Sequence, residues 1–272
     1  MKVAMNTVIF QNQPFEEILP LIKDSGYDGV EIAWVPREHP FYWGEDVDVT
    51  KVKRICNSIG LEVSSICPFF PQAYDLANTS NKVREQGISY VRNIIDAANE
   101  LGAKVVVVVP SAVWKQASGS REEEWACCIA SLKELGLYAS NRGVTLAIEP
   151  LIRFLTYFLH RIEQGLRLIE EANVPGLGVM ADLFHMNVEE RSIEEAIKEA
   201  GDKLVHVHLS DSNNRVPGTG HLDFASILRA LSSINYAGYV VAELGVEQSE
   251  AVEATRETVK YIRAVERKVM ER

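Results

Sequence analysis

The sequence predicts a single-domain α/β protein, a closed (β/α)8 barrel spanning residues 1–272, and three observations predict it. Short apolar or β-branched runs alternate eight times with longer segments of helical spacing, the pattern of parallel strands joined by helices. Residues 105–109 are valine throughout, so that strand is covered on both faces. The first strand runs into Asn6-Thr7-Val8-Ile9, whereas the competing doubly wound sheet would place a Gly-rich phosphate turn there. A chain of 272 residues, 47% hydrophobic, suits one barrel of roughly 250 residues.

Residues 2–6 form the first strand. Helical spacing over 14–25 gathers Phe15, Ile18, Leu19 and Ile22 on one face, with Gly26 as the stop. Pro20 should bend or shorten this helix, because it lacks an N–H and its ring clashes with the preceding turn. Strand 29–33 is followed by helix 49–59, closed by Gly60, and strand 61–66 by helix 81–101, closed by Gly102. Strand 104–109 precedes helix 121–141, with Gly143 past its end; strand 144–148 precedes helix 161–172. Strand 178–181 leads to helix 192–200, where Ser192 reads as N-cap and Glu195 completes a capping box. Strand 204–209 precedes helix 223–232, and strand 239–242 precedes the last helix, 249–269.

The last four strands share a feature. They end on Glu149, Asp182, His208 and Glu243. Functional groups of such barrels sit at the C-terminal strand ends, and a buried carboxylate needs a cation or hydrogen bonds. Any one of these residues could simply cap the next helix. Four in consecutive strands point to a site for one divalent cation, Mn2+ with Co2+ or Mg2+ as alternatives. His206 lies one pleat deeper and reads as a hydrogen-bonded core histidine. Glu31, ending the second strand, reads as hydrogen-bonding support. Cys67 ends the third strand at the mouth, as a substrate contact or a small buried hydrophobe. Trp114 and Trp34 follow strands and suit an aromatic wall or ordinary packing. His221 and Asp223 are expected to order the Gly-rich loop around them.

Composition narrows the function. A net charge of −10 with no long basic run argues against nucleic acid as a partner. No apolar stretch reaches the roughly 18 residues of a membrane span, and the first residues lack the apolar region of a signal peptide. Cys56, Cys67, Cys127 and Cys128 form no Cys-x-x-Cys pair, so a reduced, cytoplasmic setting is expected and a zinc knuckle is not.

Glu149-Pro150, the run 182–187 (Asp-Leu-Phe-His-Met-Asn), His208 followed by Arg215-x-Pro217-Gly218, and Glu243 resemble the xylose isomerase-like sugar isomerases and epimerases. The nearest branch is the ketose 3-epimerases of the D-tagatose 3-epimerase type. The resemblance covers nearly the whole chain, from the Gly-Tyr-Asp-Gly-Val-Glu of residues 26–31 onward. It implies a small-molecule sugar substrate and one Mn2+-like ion on Glu149, Asp182, His208 and Glu243. It implies that His185 and Arg215 hold substrate oxygens, that Trp114 walls the sugar, and that Glu149 and Glu243 act as acid and base. Such an enzyme would pass through a cis-enediolate, taking a proton on one face and returning it on the other. A homo-oligomer, dimer or tetramer, is expected.

One stretch departs from the family pattern. Where the ketose 3-epimerases carry Asn and Glu after the fifth strand, this chain has Ile152 and Leu155. The apolar loop implies a subunit contact or a substrate less polar at that end. The alternative reading is a lyase or dehydratase on a keto sugar, inosose or 3-keto glycoside, including C-glycoside cleavage, at the same metal site. An abasic-site endonuclease would want a three-metal cluster and more than six His. A binding module would not require two facing glutamates.

Overall fold

The computed structural model describes residues 1–37 and 46–270. Eight parallel strands close in sequence order: β1 (Lys2–Asn6), β2 (Gly29–Trp34), β3 (Glu62–Pro68), β4 (Val105–Val108), β5 (Thr145–Ile148), β6 (Leu177–Asp182), β7 (Leu204–Leu209) and β8 (Tyr239–Ala242). Closure sets Val3 against Val240 and Met5 against Ala242, so the sheet has no free edge. The helices are α1 (Phe15–Asp24), α2 (Val49–Ile59), α3 (Asn81–Leu101), α4 (Arg121–Ser140), α5 (Ile162–Ala172), α6 (Leu183–Glu189), α7 (Ile193–Ala200), α8 (Phe224–Ser233) and α9 (Ala251–Met270). Among the described residues, no helix is long and apolar enough to cross a membrane.

Alternation along the strands divides the core in two. Outward residues such as Val3, Met5, Val30, Ile32, Val106 and Ile148 pack against the helices in one large cluster. Inside the barrel a small apolar cluster of Cys67, Val107, Ala147 and Met180 shares the space with buried Asn6, Glu31, His206 and His208. The polar side of the interior is the side that becomes the site.

Three local expectations need correction. α1 runs through Pro20 from Phe15 to Asp24, slightly shorter than 14–25. The carbonyl that loses its i+4 partner belongs to exposed Glu16, within reach of solvent. At α7, Ser192 accepts the Glu195 N–H at 3.3 Å, but the Glu195 carboxylate turns to Lys198. A complete Ser–Glu capping box is at α4, between Ser120 and Glu123. The helix α6 has no counterpart in the sequence reading, since two turns are too short to show a period.

Candidate active site

Glu149, Asp182, His208 and Glu243 each bring one ligand atom into a group whose members all lie within 4.8 Å of one another. Strand pairing places them. A bulge between Val179 and Met180 brings Asp182 level with His208. The Glu149 N–H donates to Val108 O at 3.0 Å and the Glu243 N–H to Leu209 O at 3.1 Å, so both glutamates continue the ladder one residue past their strands. Glu149, Asp182 and His208 are buried. Glu243 is 26% exposed and faces the mouth.

His208 stands at the centre. Its Nδ1 lies 2.9 Å from Glu243 Oε2, 3.7 Å from Asp182 Oδ2 and 4.0 Å from Glu149 Oε1. The nitrogen is buried and in regular hydrogen-bond geometry with none of them. On the other side of the ring, Nε2 lies 2.8 Å from Glu31 Oε1. Glu31 Oε2 is 2.8 Å from His206 Nε2. Asn6 Nδ2 donates to Glu31 Oε1 at 2.7 Å and to Glu243 Oε1 at 3.2 Å. Glu31, Cys67 and His208 also lie within 4.8 Å of one another, but the Glu31 oxygens are already engaged, and this group is the floor of the same site.

The electrostatics follow from crowding. Burial, reinforced by Glu243 and Asp182, pushes the Glu149 carboxyl well above the usual carboxylate range. Burial opposes ionisation of Asp182, yet His185 and His208 outweigh it and hold that carboxyl below its ordinary value. Burial opposes protonation of His208, yet Glu243 and Glu31 outweigh it and hold the imidazole well above its ordinary value. The cluster therefore calls for positive charge at its centre. Three carboxylates and one imidazole nitrogen fit a divalent cation of the Mn2+ or Mg2+ kind. Glu31 lies behind His208, where a carboxylate would fix the ring of a histidine that held such a cation.

The other predicted residues divide. His185, on α6, joins the group: Asp182 caps its N–H at 2.9 Å, and its Nε2 lies 4.0 Å from Glu149 Oε1. Cys67 is buried with Sγ 3.9 Å from Glu243 Oε1. Burial and then the Glu243 charge push its thiol well up, so it is a neutral wall rather than a nucleophile. Arg215 is paired outside the cluster: its Nη2 lies 2.8 Å from both carboxylate oxygens of Glu250. Its neighbour Asn214 lines the mouth cavity of about 300 Å3, together with Asp182, His185 and Glu243. Trp114 is 56% exposed, and its N–H donates to Leu155 O at 2.8 Å. Trp34 packs against the outer core.

The family model of xylose isomerase-like TIM barrels matches residues 19–265. The chain belongs to that family. A 3-dehydro-D-guloside 4-epimerase of Escherichia coli (strain K12) is 27% identical over 97% of this chain and 99% of its own. An L-ribulose 3-epimerase of Methylomonas sp. (strain DH-1) is 29% identical over 80% of this chain and 74% of its own. Among solved structures, a 3-keto-D-glucoside 4-epimerase from E. coli superposes with a TM-score of 0.85 at 25% identity, covering 97% of this chain and 99% of that one.

In this xylose isomerase-like barrel the polar side chains of the loop after β5 are paired within the protein. Arg153 pairs with buried Glu189 at 2.9 and 2.7 Å. The Tyr157 hydroxyl donates to Glu124, which with Asp75 holds Lys115 in a buried ion cluster. His160 Nδ1 meets Leu151 O at 3.0 Å, and Thr156 Oγ1 accepts the Phe158 N–H at 3.1 Å. Ile152 is buried, Leu155 half-buried and Phe154 72% exposed.

Two residues escaped the sequence reading. Asn6 ends β1 as the ligands end their strands, and the same strand-end rule would have found it. Asp211 orders the Gly-rich loop: its carboxylate accepts N–H bonds from Ser212 and Gly218, both at 2.7 Å, and from Leu222 at 3.2 Å. A Cβ on Gly220 would meet Asp211 Oδ1 at 2.3 Å, so only glycine fits there. An Asp opening a Gly-rich loop is a local turn signal. His221 contributes one contact, to Ser212 at 2.9 Å, and Asp223 caps α8.

Proposed function

We propose that this chain is a divalent-cation-dependent epimerase of keto sugars, favouring a keto sugar that carries a glycosidic substituent. The observation that carries the reading is the placement of Glu149 and Glu243, from β5 and β8, around one imidazole nitrogen at the barrel mouth. One of them removes the proton beside the carbonyl, and the other returns a proton from the opposite side, inverting the carbon. A bound cation, Mn2+ first and Co2+ or Mg2+ as alternatives, would supply charge stabilisation to the enolised sugar oxygens. Asp182 and His208 would complete its ligand set, and His185 would hold a substrate hydroxyl. The relatives are named as epimerases, which favours return of the proton over the loss of a leaving group that a lyase would need.

The substrate reading rests on the loop after β5. Its polar side chains are spent on Glu189, Glu124 and main-chain groups. Each free-sugar hydroxyl buried there without a partner would cost about 1–3 kcal/mol. Two would weaken a free ketose by roughly one to four powers of ten. A substituent with apolar carbons loses nothing and gains contact area. The relative matched over 97% of this chain is named for a dehydro-guloside, in agreement.

The test is proton exchange in deuterated water, followed by NMR. Chelated protein is reloaded with Mn2+, Co2+ or Mg2+ and given free ketoses and 3-keto glycosides. Cation-dependent exchange with formation of the epimer is expected, faster for the glycosides. Absence of exchange from every substrate with every cation refutes the activity. Equal kcat/KM on free and glycosidic substrates refutes the substrate preference alone.

A further inference from the structure

We propose that Asn6 is a positioning residue for Glu243, setting which carboxylate oxygen faces the ligand cluster. The proposal rests on the reading of Glu243 as cation ligand and proton carrier. Asn6 is fully buried at the end of β1. Its Oδ1 accepts the Val8 N–H at 2.8 Å, where the short 3-10 turn of residues Thr7–Phe10 begins. That bond fixes the carboxamide, so both Nδ2 hydrogens must point into the barrel. One goes to Glu31 Oε1 at 2.7 Å and the other to Glu243 Oε1 at 3.2 Å.

The consequence is an asymmetric carboxylate. Glu243 Oε1 is engaged by Asn6, with Cys67 Sγ 3.9 Å away. Oε2 is the oxygen 2.9 Å from His208 Nδ1. Glu243 is the most exposed of the four ligands and has the least packing to hold its rotamer. A carboxylate with no such donor could turn either oxygen toward the cation or the sugar. The same amide also touches Glu31, which backs His208. Asn6 thus aligns two of the four proposed ligands, one directly and one through Glu31. Because the donor is an uncharged amide, the alignment adds no charge to a crowded cluster.

The test compares Asn6→Ala and Asn6→Ser with wild type. Ser keeps an oxygen that can cap the Val8 N–H and adds no charge, but lacks the two N–H donors that reach Glu31 and Glu243, so it separates the turn from the positioning. Three readouts are taken: Mn2+ affinity by calorimetry, the visible spectrum of the Co2+-loaded protein, and kcat and KM separately. Losing a group that orients a ligand typically costs 10–100-fold in metal affinity or activity. Both variants should lose that much in Mn2+ affinity or kcat, with an altered Co2+ spectrum and KM within about twofold. If Asn6→Ala does not fold, Asn6→Ser decides alone. Wild-type affinity, spectrum and kcat in Asn6→Ser would overturn the proposal and leave Asn6 a turn residue. If wild type itself binds no divalent cation and enolises no keto sugar, the underlying reading falls, and this one with it.

Discussion

Replacing Glu31 with Gln should loosen the whole site without changing its shape. The Glu31 carboxylate is completely buried and faces three nitrogen groups: Asn6 Nδ2 at 2.7 Å, His206 Nε2 at 2.8 Å and His208 Nε2 at 2.8 Å. The carboxylate accepts from Asn6 and pairs with His206, and it faces the His208 nitrogen at the same short distance outside regular hydrogen-bond geometry. A Gln amide has one oxygen and one NH2, so at least one nitrogen will face another donor or force a tautomer change. One buried unsatisfied polar group costs about 1–3 kcal/mol. At roughly 2–4 °C per kcal/mol for a chain near this size, the melting temperature should fall by about 2–12 °C. Melting must be followed with chelator present, because a bound cation would stabilise the two proteins unequally. Mn2+ affinity should drop about 10–100-fold, since His208 loses the group that fixes its ring. A Glu31→Gln protein that melts and binds Mn2+ like wild type would refute the argument that this carboxylate orients His208.

Leu155→Glu should shift the kcat/KM ratio toward free ketoses by about tenfold, the worth of roughly 1.4 kcal/mol; an unchanged ratio across the substrate panel would sink the loop argument. Arg215→Met should change stability by no more than about 1 kcal/mol, because its partner Glu250 is also exposed. The same variant should raise substrate KM several-fold; unchanged kinetics would leave Arg215 a surface ion pair. Backbone N–H groups outweigh burial and hold the Asp211 carboxyl below its ordinary value. Its contribution to stability is therefore present above the ordinary Asp value, about 3.9, and is lost as pH falls through the lower folded value. Urea unfolding from about pH 6 to pH 3 should show a shallower acid-side decline in Asp211→Asn than in wild type; identical slopes would contradict it.

The barrel was legible because its signals are long-range and repeated: apolar runs at eight positions, separated by helical periods. The cluster of Glu149, Asp182, His208 and Glu243 was legible for the same reason. A carboxylate or imidazole at the end of a buried strand stands out against valine and leucine, as Glu149 and His208 do. Asn6 obeys the same rule but offers no charge, so nothing marked it beyond position. The pairing of Arg215 with Glu250 depends on where the β8–α9 loop places an acid 35 residues away, which no local pattern encodes. The roles of Arg153 and Tyr157 were hidden likewise, because their partners Glu189 and Glu124 come from other elements. At Ser192 the spacing of a capping box was present, but a lysine one turn on, Lys198, competed for the carboxylate.

Barrel closure between β1 and β8 bears on when the site comes into being. All four proposed ligands lie between residues 149 and 243, whereas the groups that brace them, Asn6 and Glu31, lie in the first eighth of the chain. Asn6 and Glu243 are 237 residues apart. A ribosome releases the braces first and the ligands last. A contact of such long range forms only after its loop entropy has been met by the rest of the fold. A nascent chain emerging through β7 already carries Glu149, Asp182 and His208, but Glu243 and the seam that seats it against Asn6 are still to come. On the proposed function, high-affinity capture of a cation would be a property of the finished barrel, and its onset during refolding would time the closing of the seam.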